Sequence, residues 1–217
     1  MNRRDFSLHL GAAGALAAFS AAPAHAQEGP VEGKDYVRVA SPLAMAPGKI
    51  EVVEFFGYWC PHCNAFEPTL DAWARKVPAD VNFRRLPVAF QPFQEPYQRL
   101  YFALEALGLA DVNHKKVFAA VHVGHQRFEK DADVITWASA NGLDGAKIVD
   151  AMKSFSTASK VRQSTQLSTA YHIDSVPTLG VHGRYMTSPS TAGGPEKALQ
   201  VVDQLVAQLR SGSAKKG

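Results

Sequence analysis

Cys60-Pro61-His62-Cys63 contains both cysteines of the chain. A C-x-x-C at the point where a strand gives way to a helix is the layout of a thiol–disulfide redox centre. Exchange of this kind needs a sulfur that can exist as thiolate. Cys60 stands where the helical pattern begins, so unpaired backbone N–H groups and the positive end of the helix dipole favour negative charge there. His62 can add a donor or a positive charge. Cys63 falls one turn further in and is expected to be the buried partner, with Cys60 the exposed sulfur that forms a mixed disulfide. A stabilised Cys60 thiolate exists only in the reduced protein. It therefore favours reduction of the protein, and the oxidised form gives its disulfide away.

Two blander readings compete. In the first, the cysteines are half of a zinc site completed by His122 and His125. That spacing is far outside the usual finger pattern, and there is no second C-x-x-C. In the second, the bridge is purely structural, but so short a loop removes little entropy from the unfolded chain. The histidines at 114, 122, 125, 172 and 182 read as ordinary surface or core groups.

The elements that must hold this motif follow from periodicity. Ile50 to Gly57 is a strand-length run of β-branched and aromatic residues. Glu54 interrupts it. Either it faces solvent by simple alternation, or it is a carboxyl held beneath the disulfide, moving a proton to or from Cys63, with a pKa raised by burial. Glu51 reads as surface. From Pro61, which suits a first helical position, Phe66, Leu70, Trp73 and Val77 recur at helical spacing, with Pro68 inside and Pro78 as the stop. Further strands are expected at Tyr36–Ala40, Val81–Pro87, Thr178–Val181 and Arg184–Met186, the last two joined by His182-Gly183 as a hairpin. Helical patterns fill the stretch from Tyr97 to Tyr171, punctuated by Gly108 and Asn141-Gly142, and a final helix opens at Pro195. Tyr58, Trp59, Phe90, Pro92 and Phe93 are core residues or the lining of a groove for unfolded chains. A βαβ unit separated from a ββα unit by helices indicates one α/β domain with a helical insertion.

The chain has 217 residues, about 46% of them apolar, which is ample for one core with an appended subdomain. Its net charge is +3, dispersed without a basic stripe, which argues against a nucleic-acid partner. Arg3 and Arg4, the apolar run from about Leu8 to Ala22 and the small-x-small Ala24-His25-Ala26 read as a secretory signal peptide cleaved after Ala26. Asn2-Arg3-Arg4-Asp5-Phe6 also has the look of a twin-arginine signal. Export places the protein where a disulfide persists.

The run Glu54-Phe55-Phe56-Gly57-Tyr58-Trp59-Cys60-Pro61-His62-Cys63, with Val176-Pro177 before a late strand, resembles the DsbA family of periplasmic dithiol oxidases over essentially the whole mature chain. The resemblance implies a thioredoxin fold with an inserted all-helical subdomain. The signal peptide would be 1–26, the thioredoxin-like domain 27–92 and 165–217, and the helical insertion 93–164. It implies a monomeric thiol:disulfide interchange protein of the periplasm that donates its Cys60–Cys63 disulfide to reduced, newly exported proteins. Its redox group is that disulfide and no other cofactor. A membrane quinone-linked partner of the DsbB type would reoxidise it. Glu54 matches an acid that thioredoxin-like proteins carry in a similar place. X-Pro bonds are cis in only about 5–6% of cases, yet the resemblance implies a cis Val176–Pro177 bond beside the cysteines, with Val176 offering backbone groups to an extended substrate. The rivals are a reductase or isomerase on the same scaffold and a non-catalytic peptide-binding chaperone.

Overall fold

The central strand is β2 (Ile50–Phe56), buried from Val52 onward. In the computed structural model, which describes residues 29–214, β2 pairs in parallel with β3 (Val81–Pro87) and antiparallel with β4 (Thr178–Val181). The expected signal peptide, 1–26, lies outside the described residues. The hairpin returns through β5 (Tyr185–Thr187), which pairs with the two-residue edge strand β1 (Val37–Arg38). Sheet order is β1-β5-β4-β2-β3. The hairpin turn works because His182 and Gly183 both adopt left-handed backbone, at φ 49° and 66°, as a type I′ connection requires. β1 is shorter than the pattern predicts, because the chain bends at Ala40–Ser41 just ahead of Pro42, which has no N–H to give.

A parallel pair needs a crossover, and α1 (Pro61–Ala74) supplies it between β2 and β3. It ends before Val77, one turn earlier than its apolar spacing suggests. Five helices then separate β3 from β4: α2 (Glu95–Ala106), α3 (Ala110–His122), α4 (Asp131–Ala140), α5 (Gly145–Lys153) and α6 (Phe155–Ala170). Gly108 and Gly142 end α2 and α4 in left-handed conformations, at φ 69° and 71°. α6 runs without a break across position 165. The short α7 (Pro189–Ala192) was not foreseen, although Ser188-Pro189 carries the signal: Ser188 Oγ accepts from Thr191 N at 3.0 Å and Pro189 takes the first helical position. α8 (Pro195–Ala214) closes the chain. Among the described residues no helix is long and apolar enough to cross a membrane.

Alternation along β2 divides the core. Val52 packs with Phe66 and Leu70 of α1 and with Val202 and Leu205 of α8. Val53 and Phe55 belong to the cluster that includes Tyr171 and the helical block. Gly180 lies opposite Val53 on that second face. A Cβ there would sit 2.6 Å from Tyr171 Cε1 and 3.0 Å from Val53 Cγ1. The ring cannot retreat, because Tyr171 is fully buried and its hydroxyl accepts from Gly183 N at 2.8 Å. Gly180→Ala is expected to destabilise the protein by about 1–3 kcal/mol, read as a lower denaturant midpoint with an unchanged slope.

Candidate active site

Cys60 is the N-cap of α1, with extended backbone at φ −89° and ψ 118°, and Pro61 takes the first helical position. Here the N-cap side chain is a thiol, which makes no capping hydrogen bond while it keeps its proton. Both sulfurs are free thiols in this structure. The Cys60 pKa falls from 9.0 to about 6. The first cause is a hydrogen bond from the Cys63 thiol. The Cys63 and His62 N–H groups and the His62 charge add to it, against the cost of burial. At pH 7 the thiolate then outnumbers the thiol about tenfold. Burial, together with the donation to Cys60, pushes Cys63 strongly upward. One sulfur of the pair therefore carries charge and the other keeps its proton.

Cys60 is not exposed as expected: it is 4% accessible, and Cys63 1%. The cause is the loop from the far end of the chain. The Val176–Pro177 bond is cis, and Val176 O lies 3.4 Å from Cys60 Sγ, accepting its S–H. Deprotonation removes that bond and leaves the sulfur to the helix N–H groups.

Glu54 is 1% exposed, so its solvent-facing reading is excluded. In β2 it stands beside Arg85 of β3 in register. Arg85 Nη2 donates to Glu67 Oε1 of α1 at 2.9 Å, while Arg85 Nε lies 3.5 Å from Glu54 Oε2 without hydrogen-bond alignment. Burial raises the Glu54 pKa to about 8; Arg85 opposes this and the Glu67 and Cys60 charges reinforce it. Glu54 is thus mostly protonated at neutral pH; when it ionises, its charge adds to the causes that lift Cys63. Glu51 is partly buried and paired with Arg84 at 3.0 Å, not simply solvated.

Beside the cysteines lies a groove of about 530 Å³, whose lining includes His62, Phe66, Val176, Pro177, Pro189 and Pro195. The aromatic groups expected to line such a groove lie elsewhere. Tyr58 is buried at 1% accessibility, and Trp59 packs edge-on to Phe90 at 5.9 Å, donating to Val88 O. The groove wall comes from α7 and the start of α8, which periodicity alone did not place beside Cys60.

Two histidines read as ordinary groups belong to the site's foundations. His114 Nδ1 bonds Tyr58 Oη at 2.8 Å, and its Nε2 lies 3.3 Å from Glu67 Oε2. His122 Nε2 donates to Tyr58 O at 2.8 Å. Their spacing with Phe118 marks one face of α3, the signal that could have linked them.

Comparison with known proteins identifies relatives of the whole chain. A family model described as DSBA-like thioredoxin domain matches residues 51–197. Thiol:disulfide interchange protein DsbA of Bordetella parapertussis is 43% identical over 213 residues, covering 97% of this chain and 100% of that protein. The protein of that name from Pseudomonas aeruginosa is 38% identical over 184 residues, 84% and 87% of the two chains. A crystal structure of Pseudomonas aeruginosa DsbA superposes with a TM-score of 0.81 at 37% identity, covering 85% of this chain and 96% of the other. Reduced DsbA1 from Neisseria meningitidis gives 0.76 at 28% identity, covering 87% and 99%.

The order of causes at Cys60 is measurable. Thiolate titration by ultraviolet absorbance should place the wild-type midpoint near 6. Cys63→Ala should raise it by about one unit or more, and by more than His62→Ala does. Glu54 has a separate signature. Its raised pKa means the folded state binds the extra proton between about 4.5 and 8, so stability is lost as pH climbs through that window. Glu54→Gln leaves Arg85 paired with Glu67. It should gain about 1–3 kcal/mol at pH 8 and almost nothing at pH 4, read by denaturant unfolding across pH.

Proposed function

The chain belongs to the DsbA-like family of thioredoxin-fold thiol:disulfide oxidoreductases, and we propose that it is a periplasmic dithiol oxidase acting on reduced, newly exported proteins. A client thiolate attacks Cys60 Sγ of the oxidised protein. The Cys60–Cys63 bond breaks, a client–Cys60 mixed disulfide forms, and Cys63 leaves with the electron pair. Glu54 gives its proton to the departing Cys63 sulfur, a downhill transfer because Cys63 holds a proton more tightly. A second client thiolate then attacks the client sulfur of the mixed disulfide. Cys60 leaves as thiolate, the client gains a disulfide, Glu54 regains a proton released by the client thiols by way of solvent, and the protein has taken up two electrons.

The observation that carries this reading is the asymmetry of the pair: a Cys60 thiolate favoured at neutral pH beside a Cys63 and a Glu54 that keep their protons. It stabilises the reduced product and makes Cys60 the better leaving group. His62 supports the Cys60 anion, and Pro61 starts the helix without needing a backbone donor. Val176 and Pro177 line the groove beside Cys60, where a client segment would lie extended against the Val176 backbone. The groove's mostly apolar lining favours unfolded chains over any one side-chain pattern.

Electrons pass between sulfur atoms, so the redox group is the Cys60–Cys63 disulfide and no bound cofactor is required. The dithiol left after each turnover is handed to a quinone-linked inner-membrane oxidase of the DsbB type. The protein works as a monomer after removal of residues 1–26. Its thioredoxin-like part comprises 27–92 and 165–217, and 93–164 is the helical insertion, whose last helix continues past that boundary to Ala170.

Cys63→Ser, once given a client disulfide to attack, should accumulate a client adduct on Cys60 that runs as a larger species on non-reducing gels. Cys60→Ser should form no adduct and oxidise no client. Full oxidase activity in Cys60→Ser, or a reduction potential as negative as that of general thiol reductases, would overturn the assignment.

A further inference from the structure

Three buried polar atoms without a hydrogen-bond partner fall in one cluster: Glu54 Oε2, Arg85 Nε and His114 Nε2. They mark the two ends of a chain of charge. Glu54 faces Arg85, Arg85 is bonded to the inner oxygen of Glu67, and the outer oxygen of Glu67 faces His114. His114 is fixed from the other side by Tyr58, at 2.8 Å, and is wedged edge-on between Phe56 and Phe118, each 5.1 Å away. Burial pushes the Tyr58 pKa well up, so the phenol keeps its proton and is available to donate to Nδ1. With Tyr58 as the donor, the imidazole carries its own proton on Nε2, toward Glu67 Oε2. Burial also holds His114 below its ordinary pKa, so at neutral pH the ring is neutral, with Nε2 3.3 Å from Glu67 Oε2 but without hydrogen-bond alignment.

We infer that His114 is a positioning residue of the redox centre: through the outer oxygen of Glu67 it decides how the Arg85 charge is divided between Glu67 and Glu54. The groups around it are Glu67 and Asp71 of α1, Arg85 of β3, Tyr58, Tyr101 of α2, and Asp111 and Lys115 of its own helix. All but Tyr58 line a cavity of about 130 Å³. Asp71 is bridged by Lys115 and Arg75, and it is Glu67 whose Oε2 lies 3.3 Å from the imidazole. A Glu67 deprived of His114 leans wholly on Arg85. Arg85 then moves off Glu54, and the carboxyl beneath Cys63 holds its proton more tightly.

The inference rests on the reading of Glu54 as the proton carrier for Cys63. The test is carbon NMR titration of the Glu54 carboxyl in the full-length reduced protein, with Glu54→Gln assigning the resonance. The wild-type midpoint should lie near 8. His114→Phe should raise it by roughly half a unit or more. His114→Gln, whose amide can stand in for Nε2, should restore it. His114→Asn, which can stand in for Nδ1 and keep Tyr58 bonded, should not. Glu67→Gln should move the midpoint down, since it frees Arg85 for Glu54, and adding His114→Phe to it should change nothing further. A midpoint unmoved by His114→Phe, rescue by Asn and not by Gln, or an upward shift in Glu67→Gln would each overturn the proposal. If His114→Phe does not fold, the contrast between His114→Gln and His114→Asn decides the matter. The underlying reading fails separately, if Glu54→Gln leaves the pH profile of disulfide transfer to a reduced peptide unchanged.

Discussion

The site depends on a sulfur placed where helices usually carry an oxygen. An N-cap serine or aspartate exists to satisfy the N–H groups of the first turn. At Cys60 the same groups meet a thiol, and they are satisfied best when that thiol loses its proton. The cap is then a redox-dependent interaction. In the dithiol protein Cys60 can be an anion serving the helix; once bonded to Cys63 it cannot. Cys63, one turn further in, reinforces the difference by donating its own proton to the Cys60 anion. The fold's task is to keep that helix start in place, and the parallel β2–β3 pair with α1 as its crossover does so.

The cost lies beneath the motif. Glu54, Arg85 and Glu67 are all buried or nearly so, and replacing such a cluster by apolar groups is often stabilising. Its effect runs through the β2–β3 register, which sets Glu54 next to Arg85 while Arg85 hydrogen-bonds Glu67. A fully paired Glu54 would be an ordinary carboxylate with no proton to give at neutral pH. An unpaired one would be an apolar-site acid that never released it. The half-made contact at 3.5 Å holds the group between these limits.

How much of this was legible depended on how far apart the cooperating residues lie. The helix start at Pro61, the glycine stops at 108 and 142 and the hairpin at His182-Gly183 are decided within a few residues, and local spacing reveals them. The preference of Cys60 for negative charge is equally local. What failed was non-local. Cys60 was expected to be exposed because nothing in its own segment covers it; Val176, far along the chain, does. Glu54 admitted two readings until strand register removed one. Tyr58, Trp59, Phe90, Pro92 and Phe93 read as core or groove lining because they lie near the motif or the insertion boundary, but the groove wall includes Pro189 and Pro195. His114 and His122 carried no signal as single residues, and their common face on α3 matters only because that face docks on Tyr58.

That last contact changes what the helical block is for. An insertion that merely shielded the site could be attached at its two ends and packed anywhere. α3 instead grips the residue two before Cys60 at both its carbonyl and its hydroxyl, through His122 and His114. The loop from Gly57 to Cys60 is thus held by β2 at one end, by α1 at the other and by α3 in between. Cys60 N in turn bonds Gly57 O at 3.0 Å. A sulfur whose charge depends on its alignment with the Cys63 thiol and a few N–H groups tolerates little rotation. The insertion supplies that rigidity from outside the sheet, leaving the groove side of Cys60 bounded by the Val176–Pro177 loop.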